Sequence, residues 1–270
     1  MSEFPSDGRT VLVTGVDERL GYATAKRLAT DGATVIVHAQ DKELADYALE
    51  RLIADGAQAR QVRSVHADFT VLAEVDELAE LLAATVPALD ALINAAAMPG
   101  LQRRSHTADG NELTLQFNYL APQRLTFALV TALARARGRV VNVTSRLHVG
   151  GNIDYSDLDR NRGIYTPMSV YAQSKLALTM FTRTLAETGP SGLTAISVCP
   201  ADFELDMPQL RSHATAPVDG AADLLALLSA ASTPVVNGGY YDGIEEAKPA
   251  ALARNSRARA RLAGWSRQPA

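Results

Sequence analysis

The chain of 270 residues lacks several features that define common protein classes. Its single cysteine, Cys199, excludes an internal disulfide framework and favours a reducing compartment. No apolar run reaches the ~18–20 residues of a membrane span. The N-terminus has neither a basic start nor the apolar stretch of a signal peptide. We therefore expect a cytoplasmic protein without a membrane-bound part.

A strong excess of charge is also absent. The net charge is −4 and the pI is about 5.8, which gives no global reason to expect nucleic acid as a partner. No His/Cys/Asp cluster has metal-ligand spacing, so we expect no metal. One local run of arginines occurs near the C-terminus, and a solvated helix face is the favoured interpretation: Arg254, Arg257, Arg259, Arg261 and Arg267.

Strand-like and helix-like segments alternate along most of the chain. Apolar runs of strand length occur at Thr10–Thr14, Thr34–His38, Val62–His66, Leu89–Asn94, Arg139–Thr144 and Thr194–Cys199. Short strand–helix–strand units give parallel pairing and right-handed crossovers. We therefore predict an α/β fold: a doubly wound, mostly parallel, Rossmann-like sheet in three α/β/α layers.

No linker or repeat divides the chain, so residues 1–270 are expected to form a single dinucleotide-binding and catalytic domain. Two loop-rich stretches, at about 148–168 and 201–218, follow strand ends. Ligands in doubly wound folds bind beyond the carboxyl ends of the strands. These two loops are therefore predicted to form the walls of a substrate site.

Lysine is scarce, with four in the chain, which makes the spacing of Tyr171 and Lys175 informative. Only about 0.1 Tyr–Lys pairs four residues apart are expected by chance, so the spacing is a moderate signal. On a helix the two side chains lie one turn apart, where an ammonium group favours the phenolate and lowers the pKa of the phenol. The pair indicates general acid–base chemistry, although an exposed helix with an aromatic and a charge in register is the plainer interpretation.

A glycine turn follows the first predicted strand and opens a helix. Gly15 and Gly21 flank it, with Arg19 and Leu20 between them. Such a turn is where backbone N–H groups and a helix N-terminus bind a dinucleotide diphosphate. Arg19 replaces the middle glycine of the TGxxxGxG pattern, so the motif is incomplete and a plain strand-to-helix turn remains an alternative.

Together these motifs resemble the short-chain dehydrogenase/reductase family, and further elements follow in the family's order. They are Asp68 after the third strand, Asn94 at the end of the fourth, Asn118 on a helix, Ser145 at the end of the fifth strand, and Cys199-Pro200 at the end of the sixth. The segments Ser-Arg-Leu-His, Asp-Leu-Asp and Gly-Gly-Tyr-Tyr-Asp-Gly-Ile-Glu-Glu-Ala are most similar to the retinol-dehydrogenase and protochlorophyllide-reductase-like branch.

The resemblance implies a role for each matching residue. Tyr171 would exchange the proton, Ser145 would hydrogen-bond the substrate oxygen, Lys175 would lower the pKa of Tyr171 and reach the nicotinamide ribose, and Asn118 would hold a relay water through backbone contacts. The implied nucleotide-binding residues are Gly15, Arg19, Leu20, Gly21, Gln40, Asp68, Asn94, Lys175 and Pro200.

The choice of nucleotide depends on the end of the second strand. An acid there binds the ribose hydroxyls of NAD, whereas a nearby arginine accepts the 2′-phosphate of NADP. Ala39 lacks the acid, Gln40 occupies the usual arginine position, and Arg19 could supply a cation. We predict a preference for NADP(H); Asp41 keeps NAD(H) possible.

The leading hypothesis is an NAD(P)(H)-dependent oxidoreductase that interconverts a carbonyl and an alcohol on a fairly apolar small molecule. The alternative is a protein of this fold with an altered nucleotide site that works in binding, in regulation or as a non-redox enzyme. A sugar-nucleotide epimerase is disfavoured because little chain follows Cys199. By resemblance, the helical stretches Glu112–Leu133 and Met168–Glu187 predict a homodimer or homotetramer.

Overall fold

The computed structural model describes residues 8–200 and 218–266. Within these residues one sheet contains eight strands in the order β3-β2-β1-β4-β5-β6-β7-β8. All neighbours pair in parallel except β7 and β8, which are antiparallel. The strands are β1 Thr10–Thr14, β2 Thr34–Ala39, β3 Val62–His66, β4 Ala91–Asn94, β5 Arg139–Val143, β6 Thr194–Cys199, β7 Tyr240–Asp242 and β8 Glu245–Ala247.

Helices connect the strands and cover both faces of the sheet. They are α1 Arg19–Thr30, α2 Lys42–Ala54, α3 Leu72–Thr85, α4 Leu113–Leu115, α5 Ala121–Arg135, α6 Pro167–Thr188, α7 Val218–Ser229, α8 Ala251–Arg254 and α9 Ser256–Trp265. A π-helical turn, Gln116–Leu120, joins α4 to α5, and a 3-10 turn, Arg146–Gly150, follows β5. The predicted α/β fold with a mostly parallel sheet is confirmed.

The central strands are buried on both faces because their side chains are apolar throughout. Alternate residues of β1 divide between two cores: Leu12 points into one, and Val11 and Val13 point into the other. Residues of α3, α5 and α6 complete the first core, and residues of α1, α2 and α7 complete the second. A sheet covered on both sides needs such near-continuous apolar strands.

The strand order reverses direction between β1 and β4, since the chain adds β2 and β3 on one side of β1 and continues on the other side with β4. A crevice opens at such a switch point, beyond the carboxyl ends of the strands. The glycine turn after β1 and the loop after β4 form its two sides. The fold therefore brings the glycine turn with Gly15 and Gly21 to the same crevice as the loop after β4.

The C-terminal segment packs against the helix that carries Tyr171 and Lys175. Arg259 of α9 is buried and donates to Glu187 of α6 at 2.5 Å. The hydroxyl of Tyr155 donates to the carbonyl of Ala258 at 2.7 Å. The expectation of a solvated arginine face is therefore wrong for Arg259, although Arg254, Arg257 and Arg261 are exposed and Arg267 lies outside the described residues. No helix in the described parts of the chain is both long and apolar enough to cross a bilayer.

Candidate active site

Helix α6 brings Tyr171 and Lys175 to the sheet from a firmly fixed start. Thr166 and Ser169 form a reciprocal capping box, and Pro167 occupies the first helical position. The ammonium group of Lys175 then reaches the end of β5, and both side chains are almost fully buried, each with 1% of its surface exposed. The local sequence thus fixes the first residue of α6. That start sets the side of the helix on which Tyr171 and Lys175 lie.

Lys175 is held by the sheet. Its Nζ donates to the carbonyl oxygen of Val143 at 3.0 Å and lies 5.6 Å from the centre of the Tyr171 ring. The hydroxyl of Thr144 adds a bond to the backbone carbonyl of Lys175 at 3.2 Å. Burial lowers the pKa of Lys175 to about 8. The lysine is therefore oriented by backbone contacts and is less basic than usual.

The pKa of Tyr171 differs from the sequence-based expectation. Burial, and secondarily the neighbouring Cys199 and Glu18, hold the pKa of this phenol well above its usual range. The expected lowering by Lys175 is not found, because desolvation penalises the phenolate more than an ammonium 5.6 Å from the ring centre favours it. Tyr171 is thus a neutral O–H group, the form that can donate a proton.

Ser145 follows β5 and caps the 3-10 turn, where its Oγ accepts from the N–H of Leu147 at 3.2 Å. Because the oxygen is the acceptor in that bond, the O–H proton can be donated to a substrate. Val143 and Thr144, which bind Lys175, are the two residues before Ser145. The end of β5 therefore contacts α6 directly before Ser145.

His148 belongs to the same 3-10 turn and is fully buried. Its Nε2 accepts from the N–H of Ala250 at 3.2 Å, so its Nδ1 carries the proton and donates to the carbonyl of Ser145 at 2.7 Å. Burial lowers the pKa of His148, which keeps the ring neutral. Sequence reasoning missed this contact, since Ala250 is 102 residues away.

Asn118 lies in the π-helical turn and is 1% exposed. Its side chain donates to the carbonyl of Met98 at 2.9 Å and to Ser174 Oγ at 3.0 Å, and it accepts from the N–H of Met98 at 2.9 Å. These bonds fasten the loop after β4 to α6. Insertions of π type occur frequently at functional sites because they change which backbone groups stay within the helix.

The glycine turn brings β1, α1 and the loop after β4 into close contact. Gly15 has a φ of +75°, and a Cβ there would lie 2.5 Å from the Cα of Ala96. A Cβ on Gly21 would lie 2.1 Å from the carbonyl oxygen of Gly15. Both glycines are therefore required. Between them, Leu20 points into the core and Arg19 is exposed on a cleft of about 530 Å³ between α1 and α7.

Glu18 is a second residue that sequence reasoning did not assign to the site. Its Oε1 accepts from the N–H of Ala97 at 3.1 Å, across the crevice between the glycine turn and the loop after β4. Burial, with a smaller contribution from nearby Asp17, raises the pKa of Glu18 to about 7, although the bond from the N–H of Ala97 and the charge of Lys175 oppose the shift. An acid directly before the helix that follows the glycine turn was the available signal.

Three of the other predicted nucleotide-binding residues lie at the carboxyl ends of the strands: Gln40, Asp68 and Pro200. The amide of Gln40 donates to Asp68 at 3.4 Å, and the backbone N–H of Gln40 donates to Asp17 at 3.5 Å. Pro200 is buried directly after β6. Asn94 differs, since its side chain donates inside the protein to Asn142 at 2.7 Å and to Thr126 at 3.2 Å.

Contacts with helices hold the first predicted substrate loop, 148–168. The hydroxyl of Tyr165 donates to the buried carboxylate of Glu112 at 2.9 Å. Gln173 of α6 donates to the carbonyl of Leu158 at 2.7 Å and accepts from Arg160. Apart from Val218, the second predicted loop, 201–218, lies outside the described residues.

The chain matches known proteins along most of its length. The short chain dehydrogenase family model matches residues 9–215. The chain belongs to the short-chain dehydrogenases/reductases.

Human retinol dehydrogenase 13 is 29% identical over 94% of this chain and 82% of its own. Polyprenol dehydrogenase of Mus musculus is 31% identical over 96% and 82%. A crystal structure of an uncharacterized Mycobacterium paratuberculosis protein has a TM-score of 0.78 and 27% identity, covering 98% of this chain and 94% of that chain. The predicted family and its retinol-dehydrogenase-like branch are confirmed.

Short-chain dehydrogenases/reductases are oxidoreductases that use NAD(P)(H), and the crevice of this chain fits such a nucleotide in three respects. The glycine turn permits close backbone approach. Helix α1 begins without an acid in its first turn, and Glu18 makes no side-chain capping bond there, so the positive end of the helix favours an anion. Lys175 adds a buried cation. Ionised Glu18 and the neighbouring Asp17 are carboxylates at this crevice that oppose an anionic ligand.

Proposed function

We propose that this chain is an NADP(H)-preferring reductase or alcohol dehydrogenase that interconverts a carbonyl and a secondary or primary alcohol on a fairly apolar small molecule. The observation that carries the proposal is the neutral, buried phenol of Tyr171, one helical turn from Lys175, whose ammonium group binds the strand end that precedes Ser145. The names of the two curated relatives denote apolar alcohols, which supports an apolar substrate.

The roles of the side chains follow from their protonation states. The bound nucleotide supplies or accepts the hydride. In the reducing direction, Tyr171 donates its proton to the substrate oxygen, and Ser145 donates a hydrogen bond to the same oxygen as negative charge develops there. The positive charge of Lys175 then offsets the phenolate that Tyr171 becomes. Asn118 holds the loop after β4 against α6 and so keeps the two sides of the site in register.

The test is the substitution Tyr171→Phe, which removes the proton donor and keeps the ring. Turnover of a panel of apolar aldehydes and ketones, followed by NADPH absorbance, is expected to fall about 10²- to 10⁴-fold, the usual contribution of a general acid. Tyr47→Phe, on the exposed face of α2, is the matched control and should change nothing. Unchanged turnover in Tyr171→Phe would show that another group donates the proton.

The proposal includes a preference for NADP(H) over NAD(H). Exposed Arg19 and the absence of an acid at position 39 support it. Three carboxylates near Gln40, from Asp17, Asp41 and Asp68, work against a 2′-phosphate and favour NAD(H). Titrations with NADH and NADPH, followed by nucleotide fluorescence, separate the two, and tighter NADH binding would reverse the proposed preference.

The altered glycine turn favours the second candidate, a binding or regulatory protein, or a non-redox enzyme, of the same fold. Glu18 introduces negative charge, and Arg19 a long side chain in place of a glycine, where a diphosphate would bind. The same fluorescence titration distinguishes the candidates. Saturable binding of either nucleotide favours the oxidoreductase, whereas no binding at any pH between 6 and 8 favours the second candidate.

We further propose that residues 1–270 act as one catalytic domain, with loops 148–168 and 201–218 as substrate walls, in a cytoplasmic homodimer or homotetramer. The proposed assembly surface is the outer face of α5 and α6. There Phe127, 42% exposed, packs edge-on against Phe181 at 5.4 Å between ring centres, and α9 covers the neighbouring part. Light scattering of the purified chain measures the assembly, and a monomer would overturn it.

A further inference from the structure

Glu18 occupies the residue before α1 but does not cap that helix. Its backbone is extended, with φ −98° and ψ 153°, and its side chain makes no capping bond. The carboxylate reaches instead across the switch-point crevice to the N–H of Ala97. It therefore lies between the helix terminus and the loop after β4, where an anion held by the α1 N-terminus would meet it.

Charged groups approach Glu18 from several elements. Asp17 precedes it in the turn, and Lys175 and Tyr171 approach from α6. Asp219 and Asp223 of α7 line the cleft on its outer side, together with the basic side chains of Arg19, Lys26, Arg27 and Arg51. Lys26 and Arg27 are already paired there, with Asp55 and Asp223. Lys175 is the cation that acts on Glu18 from the buried side.

The ionisation of Glu18 is finely balanced. Burial disfavours its carboxylate and brings its pKa to about 7, so both forms are present near neutral pH. A carboxylate at this place repels a diphosphate and competes with it for Lys175. The protonated acid removes that repulsion and can donate its O–H to a phosphate oxygen.

We propose that Glu18 controls nucleotide affinity through its charge: the diphosphate of NAD(P)(H) binds tightly only when Glu18 is protonated, so that binding takes up a proton. This inference rests on the proposed function, because it requires the nucleotide at the glycine turn. Glu18 acts here as a determinant of binding and takes no part in hydride or proton transfer to the substrate.

The experiment is a fluorescence titration with NADH between pH 6 and pH 8. NADH is chosen because a phosphomonoester such as the 2′-phosphate of NADPH titrates near pH 6 itself. With a Glu18 pKa of about 7 in the free protein, the association constant should fall about tenfold from pH 6 to pH 8. Calorimetry at pH 7.5 in two buffers of different ionisation enthalpy should show proton uptake, of up to about one proton per NADH.

Glu18→Gln is the decisive variant, because an amide oxygen can still accept from the N–H of Ala97 and the turn should fold. It should bind NADH at least about tenfold more tightly than wild type at pH 8, with little change down to pH 6. Asp219→Asn, which changes a carboxyl on the outer side of the cleft, is the control and should keep the wild-type slope.

Each contrary result has a distinct meaning. If Glu18→Gln keeps the wild-type pH slope, Lys175 carries the dependence, since its pKa of about 8 gives a slope of the same sign, and the inference is wrong. If wild type binds NADH with no pH dependence and no proton uptake, the inference is also wrong, but the proposed function stands. If neither protein binds NADH or NADPH at any of these pH values, the proposed function fails and the inference with it.

Discussion

His38, at the carboxyl end of β2, should make the stability of the protein fall as the solution becomes acidic. Its ring is 2% exposed and stacks on Phe69 at 4.4 Å between ring centres. Nε2 donates to the carbonyl of Ala67 at 3.0 Å, and Nδ1 has no hydrogen-bond partner among the described residues. Protonation would therefore place an unpartnered charge in the core, and burial lowers the pKa of His38 to about 4.

The magnitude follows from the two pKa values. The ordinary pKa of histidine is 6.5, so the shift is about 2.5 units, or about 3 kcal/mol at 1.36 kcal/mol per unit. Because the folded-state pKa is depressed, the unfolded chain takes the proton first. The contribution is fully present above pH 6.5 and is lost as the pH falls toward 4. At pH 5 about 2 kcal/mol should already be lost.

The assay is urea unfolding of wild type and His38→Gln at pH 7.5 and pH 5. Between pH 7.5 and pH 5 the unfolding free energy of wild type should fall by about 2 kcal/mol more than that of the variant. Using this difference cancels the opposite effect of Glu18, whose raised pKa adds stability as the pH falls through about 7. His106→Gln, at an exposed position between β4 and α4, is the control. An equal difference at both pH values would refute the reasoning.

Two further predictions concern the turns that hold the site. Gly21→Ala should cost about 3 kcal/mol or more in thermal or urea unfolding, because its Cβ would lie 2.1 Å from a backbone oxygen. Gly220→Ala, in open space on α7, is the control and should not destabilise the protein, because alanine favours a helix more than glycine does. Equal costs would contradict the close packing of the glycine turn. His148→Ala should lower kcat about 10- to 100-fold with little change in KM, since it releases the carbonyl of Ser145. A raised KM with an unchanged kcat would assign His148 to substrate binding instead.

The fold could be predicted largely because its strands are buried on both faces. The apolar runs of β1, β3 and β6 coincide with the observed bounds, and their alternation with helices implies the parallel sheet. The antiparallel pair β7 and β8 was not predicted, because each strand has three residues, too few to show a pattern. The π-helical turn around Asn118 was not predicted either, since a single extra residue in a helical ladder has no composition signal.

The residues of the candidate site could be predicted from the sequence more readily than their pKa values and long-range contacts. Tyr171, Lys175 and Ser145 could be predicted because their spacing and order along the chain carry the information. The pKa of Tyr171 could not be predicted from that spacing, because it depends on burial by the whole fold. The contact of Glu18 with Ala97 spans 79 residues, and no local pattern encodes it.

The ion pair between Arg259 and Glu187 joins side chains 72 residues apart and fastens the far end of α6 to the last described helix. A ribosome makes the chain from its N-terminus, so α6 is complete long before its fastening exists. The nucleotide crevice, built mainly from β1, α1 and the loop after β4, can therefore assemble early in synthesis. Helix α6, which carries the proposed proton donor Tyr171, gains this contact only after Arg259 has been synthesised, so we expect nucleotide binding to precede full catalytic activity during synthesis.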